Sequence, residues 1–136
     1  MNRRGQALVE LALSLPILLM LALGATQFVR LALTRDGLDA ATAAAAASAA
    51  RAPSAATAAQ AGRAAFDGVA AGYGLGPSTT VTVTVGDFPR GGTVMVSAHA
   101  RVNLGVGGIP ALNQAWTLSS TATARIEDWR SRPALP

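Results

Sequence analysis

The residues that could do chemistry together lie at the start of the chain, and the central one is Glu10. It directly precedes nineteen residues without a charge, from Leu11 to Val29. A charged side chain at the centre of a membrane costs about 2.5 to 3.5 kcal/mol, so Glu10 needs a charged partner or a polar exit. If the chain were cut after Gly5, the new amino group of Gln6 would lie four residues before Glu10, the spacing at which opposite charges meet on a helix.

Glu10 has more than one way to satisfy its charge. The new amino group of Gln6 can pair with it within one chain or from a neighbouring copy. Without cleavage, the carboxylate can instead reach the lipid headgroups and interact with the positive end of the helix dipole. The spacing of the residues leaves these alternatives open.

Elsewhere in the sequence no set of residues supports catalysis. The chain has no Cys, which excludes disulfides and a thiol nucleophile, and its single histidine, His99, excludes a multi-histidine site. His99 alternates with Ser97 and Arg101 on the polar side of a predicted strand, which indicates a surface histidine. The other acidic residues are scattered along the chain: Asp36, Asp39, Asp67, Asp87, Glu127 and Asp128. We therefore expect no enzyme activity, no cofactor and no metal site.

Two further features have ordinary interpretations. The Gly-rich loop from Gly105 to Gly108 lacks the Lys and the Ser or Thr of a phosphate-binding loop, so we interpret it as a connection. Trp129 is either a contact residue or, as is more common, a ring that packs over the edge of a sheet.

The composition limits the size and the class of the protein. With 136 residues there is room for little more than one domain. Hydrophobic residues make up 51% and charged residues 13%, about half the charged share of an average soluble domain. The formal charge is +4, but the basic residues are all Arg and are spread from Arg3 to Arg132 without forming a block. Nucleic-acid binding is therefore not indicated.

The uncharged segment is long enough to cross a membrane. As a helix its nineteen residues extend about 28 Å, close to the thickness of the hydrocarbon core. Pro16 has no amide hydrogen to donate to the carbonyl of Ala12, so we expect a kink in the first turns. Two Arg residues lie near each end of the segment, so the charges alone do not determine its orientation.

Three interpretations of this segment compete. A cleaved signal peptide is possible, because Ala22, Leu23 and Gly24 before Ala25 would suit signal peptidase. The segment can also be the plain anchor of a single-pass surface protein. The third interpretation, a pilin-like helix, comes from the residues around Gly5 and Glu10.

The run RRGQALVELALSLPILLMLALGATQFVRLAL resembles the N-terminal signature of the TadE family, the pilin-like proteins of the bacterial tight adherence (Tad, or Flp-type) pilus. In that family a short basic leader ends in Gly, a prepilin peptidase cuts after it, and Glu lies fifth in the mature chain. Gly5, Gln6 and Glu10 take these places here. The step from Leu15 to Pro16, the aliphatic block and Arg30 also match, and the resemblance covers roughly residues 3–51.

The resemblance implies a structural role. It implies a minor pilin or pseudopilin that assembles by subunit packing with other pilins and the Tad assembly platform, as part of a hetero-oligomer. It also implies an inner-membrane anchor with the N-terminus in the cytoplasm and the remaining domain outside. A membrane-anchored or secreted protein with no filament role is the alternative, and a small membrane-tethered enzyme ranks last.

The rest of the chain predicts an α+β fold. Residues 1–5 are the expected leader, 6–30 the transmembrane helix, 31–76 an Ala-rich helical segment broken near Pro53, 77–129 a three-stranded antiparallel sheet, and 130–136 a tail. Ala is the strongest helix former, and Pro53 should end the first helix. Ser54 offers an N-cap for a second helix, on which the sheet is expected to pack. Its predicted apolar stripe comprises Phe66, Val69, Ala70 and Tyr73.

After Pro77 the apolar residues recur at every second position, which predicts strands. The expected inward residues of the three strands are Val81, Val83 and Val85, then Val94, Val96, Ala98, Ala100 and Val102, and finally Trp116, Leu118, Ala122, Ala124 and Ile126. Because a slip of one residue exchanges the two faces of a strand, this list depends on the register.

Overall fold

The computed structural model describes residues 3–86, 91–105 and 114–126. It contains two helices and three strands, which confirms the α+β prediction. In chain order these elements are α1 (Arg3–Arg51), α2 (Ala55–Gly72), β1 (Thr79–Val85), β2 (Thr93–Leu104) and β3 (Gln114–Arg125). The predicted leader start, most of the Gly-rich loop, Trp129 and the tail lie outside the described residues.

Helix α1 is a single helix of 49 residues that continues from the uncharged segment into the Ala-rich one. It ends at Arg51, two residues before Pro53, because a residue that precedes proline is pushed out of helical geometry. Helix α2 starts after Ser54, whose Oγ accepts a hydrogen bond from the Thr57 amide at 3.4 Å. The Thr57 Oγ1 in turn accepts one from the Ser54 amide at 3.3 Å, which completes a capping box.

The two helices pack closely because small residues meet at their contact. A Cβ on Gly62 of α2 would lie 3.3 Å from both the carbonyl oxygen of Ala45 and the Cβ of Ala49. Ser48 donates a hydrogen bond to the Ala61 carbonyl at 3.2 Å, which links the helices directly. The predicted stripe of α2 is buried at Phe66 and Ala70.

The sheet has the order β1-β2-β3, and both pairs of strands are antiparallel. The alternation predicted from the sequence is confirmed, with Val94 and Val96 fully buried. Among the strands, helix α2 contacts mainly β1, whereas α1 contacts mainly β2 and β3. The sheet thus packs on the first helix as well as on the second, and the core lies between the sheet and the pair of helices.

The predicted inward face of β3 is correct in register but is not covered along its whole length. Leu118, Ala122 and Ala124 are half-buried and Ile126 is buried. Trp116 pairs with Val102 near the end of the sheet and is 51% exposed. Its ring is therefore not part of the core, although it shares the face of the core residues.

Candidate functional site: the free segment and its junction with the head

The first part of α1, residues 5–33, is here called the free segment, and the folded remainder from Gly37 onwards is called the head. The large apolar side chains of the free segment are mostly exposed, with Phe28 at 72% and Leu18 at 60%. Between Gly5 and Arg51, helix α1 is long and apolar enough to cross a membrane. An apolar surface of this size requires lipid or another protein to cover it.

The residues predicted to take part in processing and charge pairing lie at the beginning of the free segment. Gly5, Gln6 and Glu10 are all exposed on α1, and Gln6 and Glu10 are one helical turn apart. A Cβ built on Gly5 would meet no atom within 4 Å. The described part of the head does not cover this site, so both a peptidase and a neighbouring subunit would have access to it.

Pro16 lies inside α1, which continues as a helix on both sides of it. Its missing amide hydrogen leaves the carbonyl of Ala12 without the usual intrahelical partner. Two residues earlier, the hydroxyl of Ser14 donates to the Glu10 carbonyl at 2.8 Å. The kink at Pro16 stays a prediction.

The free segment meets the head at a junction formed by one face of α1 and the end of β2. The Nε2 of Gln27 donates a hydrogen bond to the carbonyl oxygen of Gly105 at 3.3 Å, across 78 positions of sequence. The side chains on this face of α1 are half-buried: Leu23, Gln27, Leu31 and Thr34. The Oε1 of Gln27 is buried and has no hydrogen-bond partner among the described residues.

This junction was not identified from the sequence. Its signal was the spacing of Leu23, Gln27, Leu31 and Thr34. These positions continue, at intervals of three and four residues, into the buried Leu38. They therefore form the lower end of the face that α1 turns towards the sheet.

An open cavity of about 290 Å³ lies beside the junction. Arg30 and Thr34 of α1 line one side, and Arg101 and Asn103 of β2 line the other. The chain between α2 and β1 also lines this cavity. Within that stretch, Ser78 donates a hydrogen bond to the Arg101 carbonyl at 3.1 Å. The described lining residues include two Arg and no acidic residue, so this cavity favours anions.

Among the residues that the structure describes, those considered for catalysis are not brought together. His99 is exposed on the outer side of the sheet, opposite Thr80 and Ser119. The acidic residues Asp36, Asp39 and Asp67 are exposed on the two helices. Within residues 3–86, 91–105 and 114–126, no three residues of the metal-binding types cluster. Asp87, Glu127 and Asp128 lie outside these ranges.

Comparison with known proteins identifies the N-terminal part of the chain. Residues 5–47 match the model of the family described as TadE-like protein, which confirms the resemblance seen in the sequence. The match starts at Gly5 and extends through the free segment into the buried part of α1. No curated protein and no solved structure matches the chain. The N-terminal helix thus fits a membrane-anchored component associated with the Tad system.

Proposed function

We propose that this chain is a TadE-like minor pilin or pseudopilin, which anchors in the inner membrane by its free segment and later packs into a Tad pilus by the same surface. The observation that carries this proposal is the exposed apolar helix, which starts at the matched Gly5 and continues without a break into the head. The proposed role is structural and contributes to adherence. It requires neither catalysis nor a cofactor.

One surface can serve both states because lipid and neighbouring helices offer similar surroundings to aliphatic side chains. Burial of apolar surface yields about 25 cal/mol per Å², whichever apolar environment covers it. Inside a bilayer, helices associate through packing and polar contacts, since lipid itself is as apolar as Leu. A polar contact is then needed to select the partner and its register.

Glu10 is the group proposed to supply this contact. Prepilin peptidase would cut after Gly5, and the new amino group of Gln6 would pair with the Glu10 carboxylate of the same or an adjacent subunit. The partners proposed for the assembled state are other pilins and the Tad assembly platform. Before assembly the N-terminus would lie in the cytoplasm and the head outside.

The second candidate function is that of a single-pass or secreted protein with no filament role. The small residues at Ala22 and Gly24 support it, because signal peptidase requires such residues before its cleavage site. A pilin keeps the free segment in the mature protein. A secreted protein loses most of it, because the segment is then a signal peptide.

The mass of the intact mature protein distinguishes these functions. Loss of residues 1–5 is expected from the pilin proposal, and loss of residues 1–24 from a signal peptide. An unprocessed chain would indicate a plain anchor. Either of the last two results would overturn the proposed function.

Two matched variants identify the protease. Gly5→Leu should leave a full-length precursor in the membrane, whereas Gly24→Leu should be processed normally. The pair is well matched because a Cβ at either glycine would meet no atom within 4 Å, so neither variant disturbs packing. Normal processing of Gly5→Leu together with a block in Gly24→Leu would assign cleavage to signal peptidase.

A further inference from the structure

The head reaches down beside the helix to a level inside the uncharged segment. The contact between Gln27 and Gly105 lies two residues before Val29, where that segment ends. Leu23, one turn below Gln27, is also half-buried. The hydropathy of α1 alone would place all residues up to Val29 in the membrane, but the end of the sheet occupies the space beside the last of them.

The end of the sheet does not belong in hydrocarbon. Among the residues at this end, Asn103 and Gln114 are polar and exposed, whereas Leu104 is half-buried. The strand ends also carry backbone groups that must be hydrogen-bonded, and irregular backbone facing lipid is not tolerated within the bilayer core. The buried Oε1 of Gln27, without a partner among the described residues, would add a desolvation cost there. The hydrocarbon therefore has to end below Gln27.

The groups around the junction suit the layer just outside the hydrocarbon. Arg30 and Arg101 line the same open cavity, which has no acidic residue among its described lining. Their charge is complementary to the phosphates of phospholipids. Trp116 is half-exposed on the neighbouring strand, and Trp is enriched at the boundary between membrane and water.

We propose that this end of the head rests on the phospholipid headgroups of the membrane that its own helix spans, with the hydrocarbon boundary at about Leu23 to Gln27. Arg30 and Arg101 contact headgroup phosphates, and the ring of Trp116 lies at the boundary. This inference rests on the membrane anchoring in the proposed function, and it adds the depth of insertion and the lipid contact.

The proposed depth has a consequence for Glu10. Sixteen uncharged residues remain between Glu10 and Gln27, and as a helix they extend about 24 Å. The hydrocarbon core is about 30 Å thick, so the span is short by several ångströms. Such a mismatch is relieved by thinning of the bilayer or by drawing the flanking residues inwards. With the head fixed on the outer surface, the flanking residue drawn inwards is Glu10.

Cysteine accessibility tests the depth, and the natural absence of Cys makes every single substitution clean. The full chain is placed in vesicles of phosphatidylcholine and phosphatidylglycerol and treated with a membrane-impermeant maleimide. The substitutions are made on the exposed face opposite the junction: Leu18→Cys, Ala22→Cys, Val29→Cys and Leu33→Cys. We expect protection at the first two positions and labelling at the last two. Protection of Val29→Cys would overturn the inference, because the head would then stand clear of the lipid.

The lipid contact is tested with Trp116 as the reporter, after Trp129→Phe has removed the other Trp. In vesicles that contain phosphatidylglycerol, a nitroxide on the headgroup should quench Trp116. Arg30→Gln and Arg101→Gln should each lower the ratio of docked to undocked heads by about fivefold, since a basic residue near an anionic surface contributes about this much. Arg51→Gln is the control, because it lies about 30 Å further along α1. Equal quenching in all three variants would overturn the headgroup contact.

Carbonate extraction separates this inference from the proposed function. A chain that resists extraction is membrane-inserted, and the two measurements above then decide the depth and the headgroup contact alone. A chain that is extracted without its head unfolding contradicts both the anchoring and the inference. A third outcome contradicts only the inference: the chain remains inserted and loses residues 1–5 normally, but Val29→Cys is protected.

Discussion

The two halves of α1 differ in sequence and have opposite surroundings. In the free segment the bulky side chains are Leu, Ile and Met, and they are exposed. In the second half the buried side chains are mostly Ala, at positions that contact α2 and the sheet. Small side chains allow other backbones to approach closely, whereas large ones present area that must be covered later. Residue size and hydropathy together therefore distinguish the half that completes the head from the half that is available to partners.

The largest difference between the halves should appear in assembly. Glu10→Ala should leave cleavage after Gly5 and the stability of the head unchanged, but it should nearly abolish incorporation into pili, because the charge partner of Gln6 is lost. Incorporation is measured by immunoblotting sheared pili. Asp67→Ala, which removes an exposed carboxylate from α2, is the control. Wild-type incorporation of Glu10→Ala would remove the charge-pairing role.

A second experiment compares the same substitution in the two halves. Leu38 is 1% exposed, and Leu38→Ala should lower the free energy of unfolding of the head by about 2 to 5 kcal/mol, since it leaves a cavity. Leu18→Ala, in the free segment, should have almost no effect on that quantity. Denaturant titration in detergent micelles measures both. An equal loss of stability would mean that the free segment is part of the folded core.

Glycine positions sharpen the comparison further. A Cβ on Gly37 would lie 2.7 Å from the Cβ of Tyr73, so Gly37→Ala forces the start of the loop after α2 away from α1. We expect a loss of about 1 to 3 kcal/mol in the stability of the head, as for other overpacked sites. Gly24→Ala, which meets nothing within 4 Å, is the matched control and should be neutral or slightly favourable for the helix. Retention of full stability by Gly37→Ala would show that Tyr73 moves freely.

The smallest effect is expected at a helix cap. Ser54→Ala removes the hydroxyl that accepts from the Thr57 amide and should lower the stability of the head by about 1 kcal/mol. Ser14→Ala, which removes a hydroxyl bonded to the Glu10 carbonyl in the free segment, should leave that stability unchanged. The thermal midpoint of the head, followed by circular dichroism, measures the difference. Equal midpoints for the two variants would show that the capping box contributes nothing to the stability of the head.

The elements of the fold were predictable because each has a local signal. The alternation of Val and Thr in β1 fixes its faces, and Ser54 after Pro53 marks the start of α2. The inward list for β2 was correct because its apolar residues keep a period of two over the buried part of the strand.

The junction was not predictable because its cause is not local. The bond from Gln27 to Gly105 depends on how far the sheet extends along α1, which is determined by the packing of α1 on β2 and β3. For the same reason the sequence could assign Trp116 to the inward face of β3 but could not show that its ring is exposed. No local pattern in the sequence indicates how far along the sheet α1 covers that face. The exposure of the Trp116 ring is therefore a consequence of the tertiary packing.

Because α1 extends unbroken over 49 residues, about 74 Å, the molecule is also a mechanical rod. A pull applied at Gln6 reaches the buried Ala residues through backbone hydrogen bonds in series and crosses no loop on the way. The weakest link in that series is the turn at Ala12, where Pro16 withholds its hydrogen bond. The tension is the same at every point of such a series, so the rod should stretch first at this turn near its foot while the head remains folded.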